Sequence, residues 1–147
     1  NHTHDHQDLE QFNPSQVDVE IERGADAIAK AGAPRPEFFR PPKGLTDEVV
    51  GVLADAEKYR TVFWGSCVEA FVLHQDVAAG VEAMLNRIQP GDIVLAHDGG
   101  HVIGFPDRPT LSRERTMKAL PMLFDGLAQR GFKVVDVPRL LQVGPIR

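Results

Sequence analysis

The chain has 147 residues, of which 42% are hydrophobic and 25% are charged, a composition typical of one globular domain. The formal net charge of −5 argues against a nucleic-acid-binding surface, and no run of 18 apolar residues is present that would span a membrane. The chain has a single cysteine, Cys67, so an internal disulfide is excluded.

Helical and extended segments alternate along the chain. The spacing of apolar residues predicts helices over residues 15–30, 47–58, 76–88 and 113–130, and a short final helix over 138–141. Short β-rich runs predict strands at Phe38-Phe39 and over residues 61–64, 92–96 and 133–137. We expect Ser15 and Thr46 to cap the first two helices, and Pro121 to kink or restart the fourth.

The same spacing predicts which helical residues face a core. The inward residues of the second helix are expected to be Val49, Val52, Leu53 and Ala56. Those of the fourth helix are expected to be Met117, Leu120, Leu123, Phe124 and Leu127.

The order of the elements predicts a parallel α/β fold. Residues 92–96 form an almost continuous apolar run, as expected for a strand that is buried on both faces. Arg40 and His97 follow predicted strands, at the end where parallel α/β folds place their sites. Only about four strands are predicted, fewer than a closed barrel needs, so we expect part of a barrel.

The first six residues contain a histidine pair, His2 and His6. On a helical turn, residues four apart share one face, and two neutral imidazoles at that spacing can bind one divalent cation. The alternative is a frayed, histidine-rich chain end or the remnant of a tag. The spacing alone leaves both interpretations open.

Three motifs occur in order along the chain: His2-Thr3-x-x-His6, Arg40-x-Pro42-x-Gly44 and Leu95-x-His97. Together they resemble the polysaccharide deacetylase family, also called the NodB-homology domain or carbohydrate esterase family 4. The flanking segments resemble the same family, namely Phe39-Arg40-Pro41-Pro42, residues 90–98 and Ala119-Leu120-Pro121. Three motifs in order are more specific than any one of them, and the resemblance covers nearly the whole chain.

The resemblance implies a fold class. It is the C-terminal portion of a distorted (β/α)7 barrel of the NodB type, with residues 1–147 as one domain that is incomplete on its N-terminal side. The family's first motif, T-F-D-D-G, would then lie before Asn1. That motif supplies the catalytic-base aspartate and a metal-binding aspartate, and neither is expected in this sequence.

The resemblance also implies roles for individual residues. His2 and His6 match the metal ligands, and zinc is the expected metal because two histidines and a carboxylate leave a position open for water. Arg40 matches the arginine that orients the catalytic base, and His97 matches the general acid. The residues implied in substrate binding are Pro42, Lys43, Leu95 and Trp64. The alternatives are a surface Arg40 packed on Phe39, and a His97 that caps local backbone.

The segment that begins at Trp64 departs from the family pattern W-x-x-D-x-x-D-W. Cys67 and Ala70 replace the two aspartates, and the second aspartate normally tunes the histidine acid. Glu69 stands one position away and would substitute only if the loop shifted. Cys67 is open to three interpretations: a metal ligand, a nucleophile or an inert buried thiol.

The implied function is a metal-dependent hydrolase that removes N-acetyl or O-acetyl groups from a glycan such as chitin oligomers, peptidoglycan or xylan. One alternative is a catalytically impaired glycan-binding relative, because Cys67 and Ala70 interrupt a motif. Another is a hydrolase of small cyclic or linear amides. The expected partners are the glycan and the N-terminal segment of the same domain, which could be a separate chain. The family resemblance also implies that the protein is secreted or located in the cell envelope.

Overall fold

The structure, a computed structural model, describes residues 1–99 and 113–143. The chain divides into two compact units, Asn1–Phe63 and Trp64–Arg147. Most of the loop that follows His97 lies outside the described residues. Within the part of the chain that is described, no helix is long and apolar enough to cross a membrane.

The first unit contains two helices and one pair of parallel strands. Its elements in chain order are helix α1 (Pro14–Lys30), strand β1 (Phe38–Phe39), helix α2 (Glu48–Ala56) and strand β2 (Arg60–Thr61). Phe38 lies opposite Arg60 in the parallel pairing of β1 with β2. One 3-10 turn, Leu9–Gln11, precedes α1, and another, Pro42–Gly44, lies between β1 and α2.

A small apolar core holds the first unit together. Its buried members are Leu9, Val17, Ile21, Phe39, Val50, Ala54 and Tyr59. Helix α1 begins one residue earlier than predicted, because Asn13 rather than Ser15 is the cap. The Asn13 side chain accepts from the Gln16 backbone N–H at 3.1 Å, and the Gln16 side chain accepts from the Asn13 N–H at 3.0 Å. Helix α2 is capped by Asp47, not Thr46, through a bond from the Val50 N–H.

In its described residues, 64–99 and 113–143, the second unit has four helices and a second pair of parallel strands. Its elements are strand β3 (Ser66–Cys67), helices α3 (Val68–Val72) and α4 (Val77–Leu85), strand β4 (Val94–Leu95), and helices α5 (Glu114–Gln129) and α6 (Val137–Val143). Cys67 lies opposite Leu95 in the parallel pairing. Helices α3, α4 and α5 bury the main core of this unit, which comprises Val68, Val72, Val81, Met84, Leu85, Ile88, Ala119, Leu123 and Leu127.

The predicted inward faces of two helices are partly wrong. In α2, Val50 and Ala54 are buried, whereas Val52 is 60% exposed. In α5, the buried residues are Thr116, Ala119, Leu123 and Leu127, whereas Met117 is 63% exposed and Phe124 is 49% exposed. Both helices carry apolar residues around much of their circumference, so spacing alone does not fix the buried face.

Three further predictions about the second unit also differ from the structure. Helix α5 continues through Pro121 as one helix, so the expected restart is wrong, and a kink at this position stays a prediction. Residues 133–137 form no strand; Val134 is 60% exposed, and no described strand pairs with the segment. Val94 on β4 is 36% exposed, so this strand is not buried on both faces. An apolar cleft of about 530 Å³ lies beside these residues and is lined by Val94, Phe124, Leu127, Val134 and Leu140 among others.

Candidate functional site

The histidine pair lies in the first unit, in an ordered turn at the start of the chain. The ring centroids of His2 and His6 are 4.8 Å apart, with the ring planes at 77°. The segment is not helical, so the expectation that a helical turn pairs the rings is wrong. Instead Thr3 and His6 adopt left-handed backbone angles, with φ of 63° and 54°, and the resulting turn folds one ring against the other.

Asn1 fixes this turn to the body of the first unit. Its N-terminal amino group donates to the Phe38 carbonyl at 2.7 Å, and its carbonyl accepts from the Arg40 N–H at 2.9 Å. Its side-chain amide donates to the Ile21 carbonyl and the Tyr59 hydroxyl at 2.9 and 3.1 Å. The segment therefore runs beside β1 as an extra paired strand would, and the interpretation as a frayed end does not describe it.

The turn itself is closed by local hydrogen bonds. The Asn1 side chain accepts from the Thr3 N–H at 3.1 Å, and the Thr3 hydroxyl accepts from the His6 N–H at 3.2 Å. His4 and Asp5, which lie between the paired histidines, are exposed. The Asp5 carboxylate contacts the His4 ring at 2.7 Å and the Arg23 guanidinium at 2.8 Å.

The orientation and surroundings of the His2 ring favour metal binding. Its Nδ1 donates to the Arg40 carbonyl, which orients the ring and leaves Nε2 for another partner. Burial is the main cause that lowers the pKa of His2, and the charge of Arg40 acts in the same direction. A lowered pKa keeps the imidazole neutral near neutral pH, the state in which it binds metal.

The residues present fit part of a metal centre. Two adjacent histidine rings, one with its second nitrogen fixed on a backbone carbonyl, are the ligand arrangement that zinc and similar cations use. Among residues 1–99 and 113–143, no cysteine, aspartate, glutamate or third histidine joins this pair in a ligand cluster. His2 and His6 thus offer two coordination positions.

The loop after β1 places the other predicted residues of the first unit. Pro41 and Pro42 are buried, and Lys43 has a left-handed backbone with φ of 58°. The Lys43 ammonium pairs with the Asp8 carboxylate at 2.5 Å. Arg40 is half-buried, and its guanidinium makes no salt bridge among the described residues.

His97 and Glu69 form the second group of polar residues, in the second unit. His97 follows β4, and its side chain is 43% exposed. Oε2 of Glu69 lies 3.1 Å from His97 Nδ1, and Oε1 accepts the His97 backbone N–H at 3.0 Å. The possibility that Glu69 takes the place of the family aspartate therefore matches the observed geometry, and His97 does have a carboxylate partner.

Two further donors hold the Glu69 carboxylate. The Thr116 hydroxyl donates to Oε1 at 3.0 Å, and the Cys67 thiol donates to Oε2 at 3.2 Å. Burial acts to raise the pKa of Glu69, but hydrogen bonds from His97 and Cys67 outweigh it and lower the pKa to about 2. For Cys67, burial raises the thiol pKa, and the bond to Glu69 raises it further. Near neutral pH, Glu69 is therefore charged and Cys67 is a thiol.

The remaining predicted residues have simpler surroundings. Leu95 is 7% exposed and lies opposite Cys67 in the strand pair, and Trp64 is half-buried at the start of the unit. Thr116 is the functional residue that sequence reasoning missed. It is 2% exposed on α5, a polar residue on an otherwise apolar buried face, and this break in the pattern was its only sequence signal.

Residues 1–62 match the sequence profile of the family described as polysaccharide deacetylase. The chitooligosaccharide deacetylase of Bradyrhizobium sp. is 34% identical over 146 residues, which cover 95% of this chain and 64% of that protein. The peptidoglycan-N-acetylglucosamine deacetylase of Bacillus cereus is 30% identical over 150 residues, which cover 97% of this chain and 62% of that protein. The chain belongs to the NodB-homology polysaccharide deacetylase family. It spans less than two thirds of the length of these two relatives.

Solved structures of the family share the fold of this deacetylase-family chain. A family 4 carbohydrate esterase from Streptomyces lividans, in complex with acetate, superposes with a TM-score of 0.75 at 27% identity, covering 93% of this chain and 64% of that one. A family 4 pseudoenzyme from Bacillus anthracis gives a TM-score of 0.77 at 22% identity, covering 96% and 45%. The predicted fold class, part of a NodB-type α/β barrel, is confirmed. The likeness to the pseudoenzyme concerns the fold alone.

Proposed function

We propose that this chain provides metal-binding and proton-donating groups of a metal-dependent deacetylase that acts on a glycan. The observation that carries the proposal is the His97–Glu69 pair, because it supplies a carboxylate partner where the sequence pattern had lost one. The ordered His2–His6 pair supports it independently. The deacetylase relatives provide the reaction class.

In this proposal the histidine pair holds a divalent cation. His2 contributes Nε2, since its Nδ1 is engaged by the Arg40 carbonyl. When bound, the cation polarises the acetyl carbonyl and acidifies a water molecule. Zinc is the proposed metal because imidazole nitrogens suit it well. The family resemblance assigns proton abstraction from water to an aspartate of the T-F-D-D-G motif, which these 147 residues do not contain, with Arg40 as the residue that orients it.

His97 is the proposed proton donor to the departing nitrogen. The contact between Nδ1 and Glu69 fixes the ring and directs Nε2 away from the carboxylate. The bond from the His97 backbone to the same carboxylate fixes the main chain as well. The partly exposed side chain can reach a substrate. This division of roles, a positioned imidazole and an orienting carboxylate, is the one used in catalytic triads.

The proposed substrate is an acetylated glycan such as chitin oligomers, peptidoglycan or xylan. The two relatives are named for chitooligosaccharides and for peptidoglycan N-acetylglucosamine, which supports N-acetyl groups as the first to test. Pro42, Lys43, Leu95 and Trp64 remain the predicted substrate contacts. Secretion or attachment to the cell envelope remains a prediction from family habit.

The test uses a protein that joins these residues to the family's T-F-D-D-G segment, and it measures acetate release from N-acetylglucosamine oligomers before and after chelation and with zinc restored. We expect chelation to stop release and zinc to restore it. His97→Asn should lower kcat about 100-fold, whereas the exposed His74→Asn serves as the matched control and should not. Glycan and zinc binding without acetate release in the unmodified protein would refute the proposal in favour of a non-catalytic glycan-binding protein.

A further inference from the structure

Cys67, Glu69 and His97 form a cluster of three different metal-ligand types. One ligand atom of each lies within 4.8 Å of the others, and the described part of the chain contains no other such group of three. We propose that this cluster is a second divalent-metal site, formed by different residues from the His2–His6 pair and selective for zinc-like cations.

The carboxylate at the centre of the cluster is preorganised. Oε1 of Glu69 accepts from the Thr116 hydroxyl and from the His97 N–H, both at 3.0 Å. These two bonds direct Oε2 at the remaining pair, with Cys67 Sγ at 3.2 Å and His97 Nδ1 at 3.1 Å. Glu69 is only 5% exposed, so packing and hydrogen bonds both fix its orientation. A bound cation would use ligands that are already held in place.

The donor set determines which cation fits. Zinc binds thiolate, imidazole and carboxylate at about 2.0–2.3 Å, so three ligand atoms around one ion lie about 3–4 Å apart. Nδ1 of His97 and Sγ of Cys67 already lie within this range of Glu69 Oε2, at 3.1 and 3.2 Å. Magnesium and calcium prefer sets of oxygen ligands, so a site with sulfur and nitrogen should discriminate against them. The His97 side chain is 43% exposed, so ions in the solvent can reach this side of the cluster.

Binding exchanges protons for the cation in a balanced way. Without metal, Glu69 Oε2 accepts the Cys67 S–H and the Nδ1–H of His97. On binding, the thiol proton and the Nδ1 proton are released to solvent, and Nε2 carries the remaining proton of the ring. Thiolate and carboxylate then carry two negative charges, which the divalent cation neutralises. The exchange needs no oxidant or reductant.

Occupation of this site would also affect the reaction, a consequence that rests on the proposed function. A cation on Nδ1 holds His97 as a neutral imidazole with its proton on Nε2, so it no longer acts as a charged proton donor. We therefore expect excess zinc to inhibit acetate release, and Cys67→Ser to weaken that inhibition.

The direct test is a Co²⁺ titration followed by the thiolate-to-cobalt charge-transfer absorption. Because Cys67 is the only cysteine, any such band belongs to it. We expect a saturable band in the unmodified protein and no band in Cys67→Ser. Glu69→Gln and His97→Ala should each weaken Co²⁺ binding at least about tenfold. Absence of the band in the unmodified protein, or unchanged affinity in both of these variants, overturns the proposal.

Two additions keep the test independent of folding defects and of the proposed function. In the unmodified protein, saturating zinc should slow alkylation of Cys67 by iodoacetamide at least tenfold, while magnesium should not. Equal alkylation rates with zinc and without it overturn the proposal.

In a His2→Ala/His6→Ala double variant, the cobalt band should persist even though deacetylation is lost. Loss of the band there would assign the cation to the histidine pair and contradict a second site.

Discussion

Oε2 of Glu69 lies 3.1 Å from Nδ1 of His97, and Oε1 of the same carboxylate accepts the His97 backbone N–H at 3.0 Å. One side chain thus positions both the ring and the main chain of the proposed proton donor. The family pattern places an aspartate at the position of Ala70, which is exposed here. A glutamate one position earlier, with one more methylene, reaches His97 from the buried first turn of α3.

Glu69→Gln should separate a positioning role from a merely structural one. The amide keeps the shape but offers an N–H where Oε2 now lies, so His97 loses its acceptor. We expect kcat for acetate release to fall about 100-fold with KM little changed, and the pH profile of kcat to move. Glu82→Gln is the matched control, since the Glu82 side chain is 61% exposed and forms a surface ion pair with Arg130 at 2.6 Å. A change in KM with kcat unchanged would contradict the positioning role.

The Glu69 carboxylate should make stability depend on pH. Its pKa falls from the usual 4.5 to about 2 on folding, so its contribution is fully present above pH 4.5 and is lost as the pH falls toward 2. Urea unfolding at pH 6 and pH 3 should therefore show a larger loss of stability in the unmodified protein than in Glu69→Gln. The two proteins losing the same amount would show that Glu69 is not the titrating group.

The stability of the fold should depend on the hydroxyl of Thr116 rather than on the volume of its side chain. Thr116→Val keeps the shape but leaves the buried Oε1 of Glu69 with one donor fewer, at a cost of about 1.5–3 kcal/mol. Thr116→Ser keeps the donor and loses one methyl group, at a cost of about 0.8 kcal/mol. Chemical denaturation of both variants provides the comparison. Greater stability of Thr116→Val than of Thr116→Ser would contradict this account of the bond.

Gly24 should be needed to seat the histidine turn on α1. A Cβ at this position would lie 2.4 Å from Asn1 Oδ1 and 2.8 Å from the carbonyl carbon of Thr3. We expect Gly24→Ala to cost about 1–3 kcal/mol and to weaken zinc binding by His2 and His6. Gly51→Ala in α2 is the control, because a Cβ there meets nothing within 4 Å; it should stabilise by about 0.5–1 kcal/mol. Equal effects of the two changes would refute the close packing.

Much of this arrangement could be predicted from the sequence because it is local. The four helical stretches, the Phe38-Phe39 strand and the order of motifs all follow from short-range patterns. The buried faces of α2 and α5 could not be fixed, because apolar residues surround most of each helix. The strand predicted over residues 133–137 is absent from the structure. A β-strand needs a hydrogen-bonded partner strand, and the local sequence pattern does not reveal whether one is present.

The candidate site was predictable where motif residues are contiguous and less so where the chain brings distant residues together. His2 and His6 were identified, but the non-helical turn that pairs them depends on backbone angles at Thr3 and His6. Glu69 could be suspected only from its place beside a broken motif. Thr116, which lies 47 positions from Glu69, could not be connected to it without the packing of α3 against α5.

The most direct test of the proposed metal site is zinc-dependent acetate release from N-acetylglucosamine oligomers in three histidine variants of the protein that carries the T-F-D-D-G segment. The assay compares His2→Ala, His6→Ala and His4→Ala, each in a Cys67→Ser background so that zinc binding at the proposed second site is weakened. His4 is the matched control, because it lies between the pair, is exposed and contacts Asp5. We expect loss of release in the first two variants and retention in the third. Retained zinc-dependent release in His2→Ala and His6→Ala would contradict a metal site formed by these two histidines.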